Sequence, residues 1–304
     1  MKNIVIVGGS YFLGKVFVEE ISKEPGYSIY VVNRGNRPLN MEGIHEIVSD
    51  RNDTGRLKEV IPSVEWHAVV DFCAYISRDI KNFFSVLPQH SVNQYIYIST
   101  TSVYNDTLVL PIKEDSPKLT GPQPELGSAA ANYAFNKWQA EVELMRECKE
   151  SNIHYTSLRP AIIYGKYNYA PRESYFFDLI AQNKIVVVPD NNLALFQFVS
   201  VWDAAKIIGL CLGNEKVFDQ AFNLSAEELI SYGRFVDVLR EVTGKRMAVR
   251  EKSIETIDRE RIPLPFPLDN HLIYSGTLVQ RVLGFEYTPF EEGMKKTYEH
   301  YVQG

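Results

Sequence analysis

Tyr133 and Lys137 stand four residues apart, a spacing that on a helix projects both side chains from one face. A free tyrosine, with a pKa of about 10, is a poor base at neutral pH. An ammonium group nearby favours the phenolate and lowers that value, so the pair can exchange a proton with a substrate hydroxyl or carbonyl. A hydroxyl from elsewhere must hold the reacting oxygen, and the run Ser99-Thr100-Thr101-Ser102 supplies one. A second cluster, Gly8-Gly9-Ser10-Tyr11-Phe12-Leu13-Gly14, follows a short apolar run and precedes a helical pattern. A glycine bend in that place lets the backbone approach a pyrophosphate, which then rests on the free N–H groups of the helix start. At the end of the next apolar run stand Asn33, Arg34 and Arg37, with no carboxylate at the position that would repel a ribose 2′-phosphate. That chemistry predicts a nicotinamide dinucleotide and favours NADP over NAD.

These groups need a frame that brings strand ends together. Apolar runs occur at Asn3–Val7, Ser28–Asn33, His45–Ser49, Ala68–Phe72, Gln94–Ser99 and His154–Leu158, most followed by stretches of helical period. Several are apolar at consecutive positions, as strands buried on both faces must be. The expected fold is therefore α/β, a Rossmann-like doubly wound parallel sheet. A long helix is predicted from Ala129 to Lys149, with Ala134, Trp138, Val142 and Met145 as its apolar stripe. After Gly165 the alternation weakens and proline-rich loops mark a smaller, mixed α+β substrate lobe. The predicted division is a dinucleotide domain over 1–165, with a contribution from 198–224, and a lobe over 166–197 and 225–304.

Composition narrows the function classes. The 304 residues carry 45% hydrophobic and 23% charged side chains and a net charge of −6, which argues against a basic nucleic-acid binder. Cys73, Cys148 and Cys211 form no CxxC, and the six histidines lack metal-ligand spacing, so neither a disulfide framework nor a metal site is expected. The only apolar run near the N-terminus is four residues long, too short for a signal core or membrane span, so a cytoplasmic protein is expected.

The chain resembles the extended short-chain dehydrogenases/reductases, the NAD-dependent epimerase/dehydratase group. The motifs that carry the likeness run in order: GGSYFLG, Asp50 after the third strand, VVDFCAY, YISTTSVY, YAFNK, LRPAIIYG, FVSVWDAA and FNLS. The resemblance implies Tyr133 as acid/base and Lys137 on the nicotinamide ribose. It implies Thr100, four positions before Tyr104, as the hydroxyl on the reacting oxygen. Gly8, Gly9, Ser10, Tyr11, Phe12, Leu13 and Gly14 would line the pyrophosphate, and Asp50 with Arg51 the adenine. Phe72, Cys73 and Ala74 would run beside the cofactor as backbone, with Ser99 and Pro160 close by. Tyr11 replaces a glycine of the family loop, which is similar to a GGTRFLG-type sub-branch that includes chloroplast stem-loop-binding proteins and bacterial relatives.

Thr101 and Ser102 occupy positions where sugar 4,6-dehydratases carry Asp-Glu, so epimerisation or carbonyl reduction is the better reaction class. Ile162 and Ser200 remove polar groups expected toward a nucleotide sugar. The expected activity is an NAD(P)-dependent epimerase or reductase on a carbinol or carbonyl carbon of a sugar-like substrate, near Tyr75, Tyr104, Tyr164 and Tyr167. The alternative is a non-enzymatic regulatory or RNA-associated protein on the same fold, against which the complete Thr100, Tyr133 and Lys137 set argues. Phe135 and Trp138 on the long helix would allow a homodimer.

Overall fold

The computed structural model describes residues 1–87, 91–124, 127, 131–191 and 193–303. Its first half alternates strand and helix: β1 (Lys2–Val7), α1 (Phe12–Ile21), β2 (Tyr27–Asn33), β3 (Ile44–Val48), α2 (Thr54–Val60), β4 (Trp66–Asp71), α3 (Ser77–Phe84), β5 (Gln94–Ile98), α4 (Tyr133–Ser151) and β6 (His154–Pro160). The second half is less regular: β7 (Ile162–Tyr164), α5 (Glu173–Ala181), β8 (Val186–Pro189), β9 (Phe198–Ser200), α6 (Val201–Cys211), β10 (Gln220–Leu224), α7 (Tyr232–Thr243), β11 (Val249–Lys252), α8 (Ile254–Glu260), α9 (Thr277–Leu283) and α10 (Phe290–Gln303).

Seven strands form one parallel sheet in the order β10-β6-β5-β4-β1-β2-β3. Ile4, Val5, Ile6 and Val7 of the central strand are all within 1% of full burial, because helices cover both sheet faces. One face packs α1 and α6 through Val16, Phe17, Ile207 and Ile208. The other packs α3 and α4 through Ile80, Phe83, Ala140 and Leu144. Strand order reverses at β1, and ligands of such sheets bind outside the carboxyl ends of the strands at that reversal. A third core, rich in Phe196, Phe198, Phe235, Phe266 and Phe290, holds the later elements together. Two small parallel pairs, β7 with β9 and β8 with β11, form separate two-stranded sheets.

The six expected strands agree with the observed ones to within two residues at each end. The long helix differs. Observed α4 starts at Tyr133, while Ala129 lies outside the described residues. Its buried face is Ala134, Lys137, Ala140, Glu141, Leu144 and Cys148, whereas Val142 is 40% exposed. The apolar stripe read from the sequence was displaced because two buried positions are polar and satisfied by partners. Trp138, expected on an outer dimer face, packs inside the chain against the cluster of Val103, Tyr104, Ile112 and Tyr274.

Candidate active site

The glycine loop is built by close approach. Gly8 has φ +89°, in the left-handed region that suits glycine. A Cβ on Gly14 would stand 2.6 Å from the Gly8 carbonyl oxygen, and one on Gly9 would meet Val18 at 2.8 Å. Tyr11 sits at the N-cap of α1, and no side chain there accepts from the first turn. Its ring stacks on Tyr169 at 4.8 Å and 22°, and the Arg37 guanidinium lies over it at 4.2 Å. The residue that departs from the family glycine therefore ties the loop to two distant segments.

A cavity of about 780 Å³ runs along the carboxyl ends of the strands. Gly8, Ser10, Tyr11, Phe12, Leu13 and Gly14 line one wall, and Phe72, Cys73 and Pro160 border its middle. Asn33, Arg34, Asp50 and Arg51 line one end, while Tyr75, Ser99, Thr100, Tyr133 and Lys137 line the other. Gly9, Arg37 and Ala74 are not on its surface: Gly9 packs beneath the loop, Arg37 covers Tyr11, and Ala74 is buried with its carbonyl accepting from Lys137 and Tyr97. The glycine cradle and the length of the cavity fit a nicotinamide dinucleotide.

Two expectations at the adenine end change. The Asn33 amide donates to Glu46 Oε1 at 2.6 Å, so the carboxylate missing from the end of β2 is contributed by β3. Arg37 is engaged with Tyr11, which leaves exposed Arg34 as the guanidinium near the cavity mouth. Arg51 has a second duty. Its guanidinium holds fully buried Asp71 at 2.8 and 3.0 Å and donates to the Asp79 carbonyl, fastening the loop after β3 to β4 and α3. Burial alone would raise the Asp71 carboxyl, but Arg51 and the Tyr95 hydroxyl outweigh it and hold it below the usual range.

At the other end, Lys137 is buried, and its ammonium donates to the carbonyls of Ala74 at 2.9 Å and Ile98 at 2.7 Å. Burial pulls it down to about 8, against the opposing pull of Asp71 and Glu141. Tyr133 is 42% exposed. Burial of its hydroxyl end, with Tyr75 and Tyr169 beside it, pushes its phenol up to about 12, while a hydrogen bond with Thr100 and the charge of Arg172 pull the other way. The lysine thus points into the strand ends rather than at the phenol, and the phenol is neutral where a lowered pKa was expected. Beneath this trio, Ser99 donates to Glu141, which also accepts Arg159 Nη2 at 2.7 Å. Arg159 reaches on to the Tyr104 hydroxyl at 2.8 Å. This buried chain locks α4 to the ends of β5 and β6.

Of the four tyrosines expected around a substrate, only Tyr75 lines the cavity. Tyr104 is buried between Arg159 and Asn223. Tyr164 is buried in the third core against Phe198 and Phe290. Tyr167 turns to Glu19, to which its hydroxyl donates at 2.7 Å, and borders a separate cavity. Their places are taken by Tyr169 and Arg172, which the sequence reading missed. Both lie in the irregular segment between β7 and α5, where periodicity carries no information about direction. Among the described residues there is no cluster of three metal-ligating side chains, and no helix is long and apolar enough to cross a membrane.

Known proteins share this fold. Residues 4–225 match the model of the NAD dependent epimerase/dehydratase family, and the chain belongs to that family. It is an enzyme of the extended short-chain dehydrogenase/reductase type, dependent on NAD(P). The chain is 26% identical to the Arabidopsis thaliana chloroplast stem-loop binding protein of 41 kDa b, over 94% of this chain and 75% of that one. UDP-glucose 4-epimerase from Thermotoga maritima superposes with a TM-score of 0.79 at 19% identity, covering 99% of both chains. The dTDP-glucose 4,6-dehydratase of Bacillus anthracis, solved with NAD, gives 0.80 at 16% identity, over 100% and 97%.

Proposed function

We propose that the protein is an epimerase-type hydride-transfer enzyme acting on a carbinol or carbonyl carbon of a sugar-like substrate, with Thr100, Tyr133 and Lys137 as its proton-transfer site. The observation that carries this reading is that all three line one end of the cavity whose long wall is the glycine loop. A bound nicotinamide would accept hydride from the substrate carbon and return it. The chain's own residues handle the proton and the geometry. In the oxidising half the Tyr133 oxygen, deprotonated for this step, takes the carbinol proton as hydride leaves the carbon, and in the reducing half the phenol so formed returns the proton to the developing alkoxide. Thr100, which lines the same end of the cavity, holds the same oxygen. Two of the three Lys137 N–H bonds are taken by carbonyls, which leaves the third for a ribose hydroxyl.

The adenine end supports NAD over NADP, since Glu46 places negative charge beside Asn33 where a 2′-phosphate would sit. The stack of Arg37, Tyr11 and Tyr169 supports a retained cofactor, as epimerisation needs. Tyr133→Phe should abolish turnover while titration still shows NAD binding. A variant that turns over at near the wild-type rate would refute the assignment.

A further inference from the structure

We infer that Arg172 is the substrate-anchoring residue, and that it selects substrates carrying an anionic group, a carboxylate or a phosphate, on the sugar itself. This rests on reading the site as a hydride-transfer centre. Four basic side chains line the cavity: Arg34, Arg51, Lys137 and Arg172. Arg34 is at the adenine end, Arg51 is neutralised by Asp71, and Lys137 is directed at two backbone carbonyls. Arg172 alone combines a place at the Tyr133 end with a guanidinium not matched by an ion-pair partner among the described residues.

Its setting is that of an anchor. Nη1 donates to the Ile163 carbonyl at 3.1 Å, which fixes the plane of the fork beside β7. A guanidinium has five N–H donors, so most of its hydrogen-bonding capacity is left for a ligand. Arg172 and Tyr133 both line the cavity, and the positive charge of the first acts on the second. The carboxylates that line the cavity, Asp50 and Asp79, are occupied elsewhere: Asp79 accepts the Tyr75 and Ile76 amides, and Asp50 accepts that of Asn52. Glu173, next in the chain, is directed to Gly165 and Asn168. A half-buried cation at the Tyr133 end, within electrostatic range of Glu173 but in no ion-pair contact among the described residues, is complementary to an anion on the substrate.

The place of Arg172 at the Tyr133 end puts the complementary charge near the reacting carbon, on the sugar and not on a distant nucleotide. That end of the cavity is lined by Thr100, Tyr75, Tyr133, Ile163, Tyr169 and Arg172.

The test measures binding of glucuronate, glucose 6-phosphate, glucose and UDP-glucose to the NAD-loaded and the NAD-free protein by calorimetry, with nicotinamide reduction followed in parallel. Arg172→Gln should weaken glucuronate or glucose 6-phosphate binding about tenfold or more, the scale of one charge-assisted hydrogen bond, and Arg172→Lys should recover part of it. Glucose should be unaffected. Comparing glucuronate with glucose 6-phosphate tells carboxylate from phosphate. Failure of both to bind, equal binding of glucose, or an Arg172 effect confined to UDP-glucose would overturn the proposal. Arg172-dependent binding without any nicotinamide reduction would retain the anchor and refute the hydride-transfer reading. Reduction by a neutral sugar, unchanged in Arg172→Gln, would do the reverse.

Discussion

Replacing Glu141 by leucine tests the claim that a buried ionic chain holds the proposed acid/base helix in place. Glu141 and Arg159 have side-chain exposures of 2% and 4%, and the carboxylate accepts from Arg159 Nε at 3.1 Å and Nη2 at 2.7 Å as well as from Ser99. Glu141→Leu keeps a similar volume but strands the guanidinium without its counter-charge. Removing one partner of a buried pair destabilises by about 3–5 kcal/mol, whereas replacing both with apolar groups is often near neutral. At roughly 2–4 °C per kcal/mol, the single variant should melt about 6–20 °C below wild type. The double variant Glu141→Leu/Arg159→Leu should recover at least about 1 kcal/mol of that loss. Far-ultraviolet circular dichroism melts of the four proteins in one buffer would measure the cycle. A single variant melting within about 2 °C of wild type, or a double variant whose loss equals the sum of the singles, would refute the reasoning. Turnover should fall with stability, since Ser99 and Thr100 lose their link to α4.

Three further outcomes follow from the geometry. Gly14→Ala places a Cβ 2.6 Å from the Gly8 carbonyl, so NAD affinity should fall about tenfold or more with little change in the far-ultraviolet spectrum; calorimetric titration checks it. Tyr169→Ala removes the stack on Tyr11, and stopped-flow release of NADH should speed up several-fold with the thermal midpoint nearly unchanged. Burial lowers Lys137 from 10.5 to about 8, so between those values the unfolded chain binds more protons and this group's contribution to stability rises with pH. Lys137→Met should flatten that rise in melting curves taken between about pH 8 and 10, and an equal slope in both proteins would contradict the assignment.

Much of the fold was legible in the residues. Consecutive apolar runs reveal buried parallel strands because a strand covered on both faces has no polar side to show. The glycine loop announces itself through the absence of side chains, which close backbone approach demands of any sequence. The spacing of Tyr133 and Lys137 is local, so four residues of helix suffice to place them together. The buried face of α4 was not legible, because Lys137 and Glu141 are polar, and their burial depends on carbonyls and an arginine many residues away.

The sequence by itself determined the strand order's raw material, the glycine loop and the four-residue spacing of Tyr133 and Lys137, all set by neighbours within one element. Tertiary structure alone decided what each charge is for. It turned Arg51 to Asp71, Arg37 to Tyr11 and Lys137 to Ala74 and Ile98, and left Arg172 facing the cavity. The physical reason is that a long cationic side chain has no preferred direction of its own. Its role is chosen by whichever carboxylate, ring or carbonyl the fold brings within about 3–6 Å.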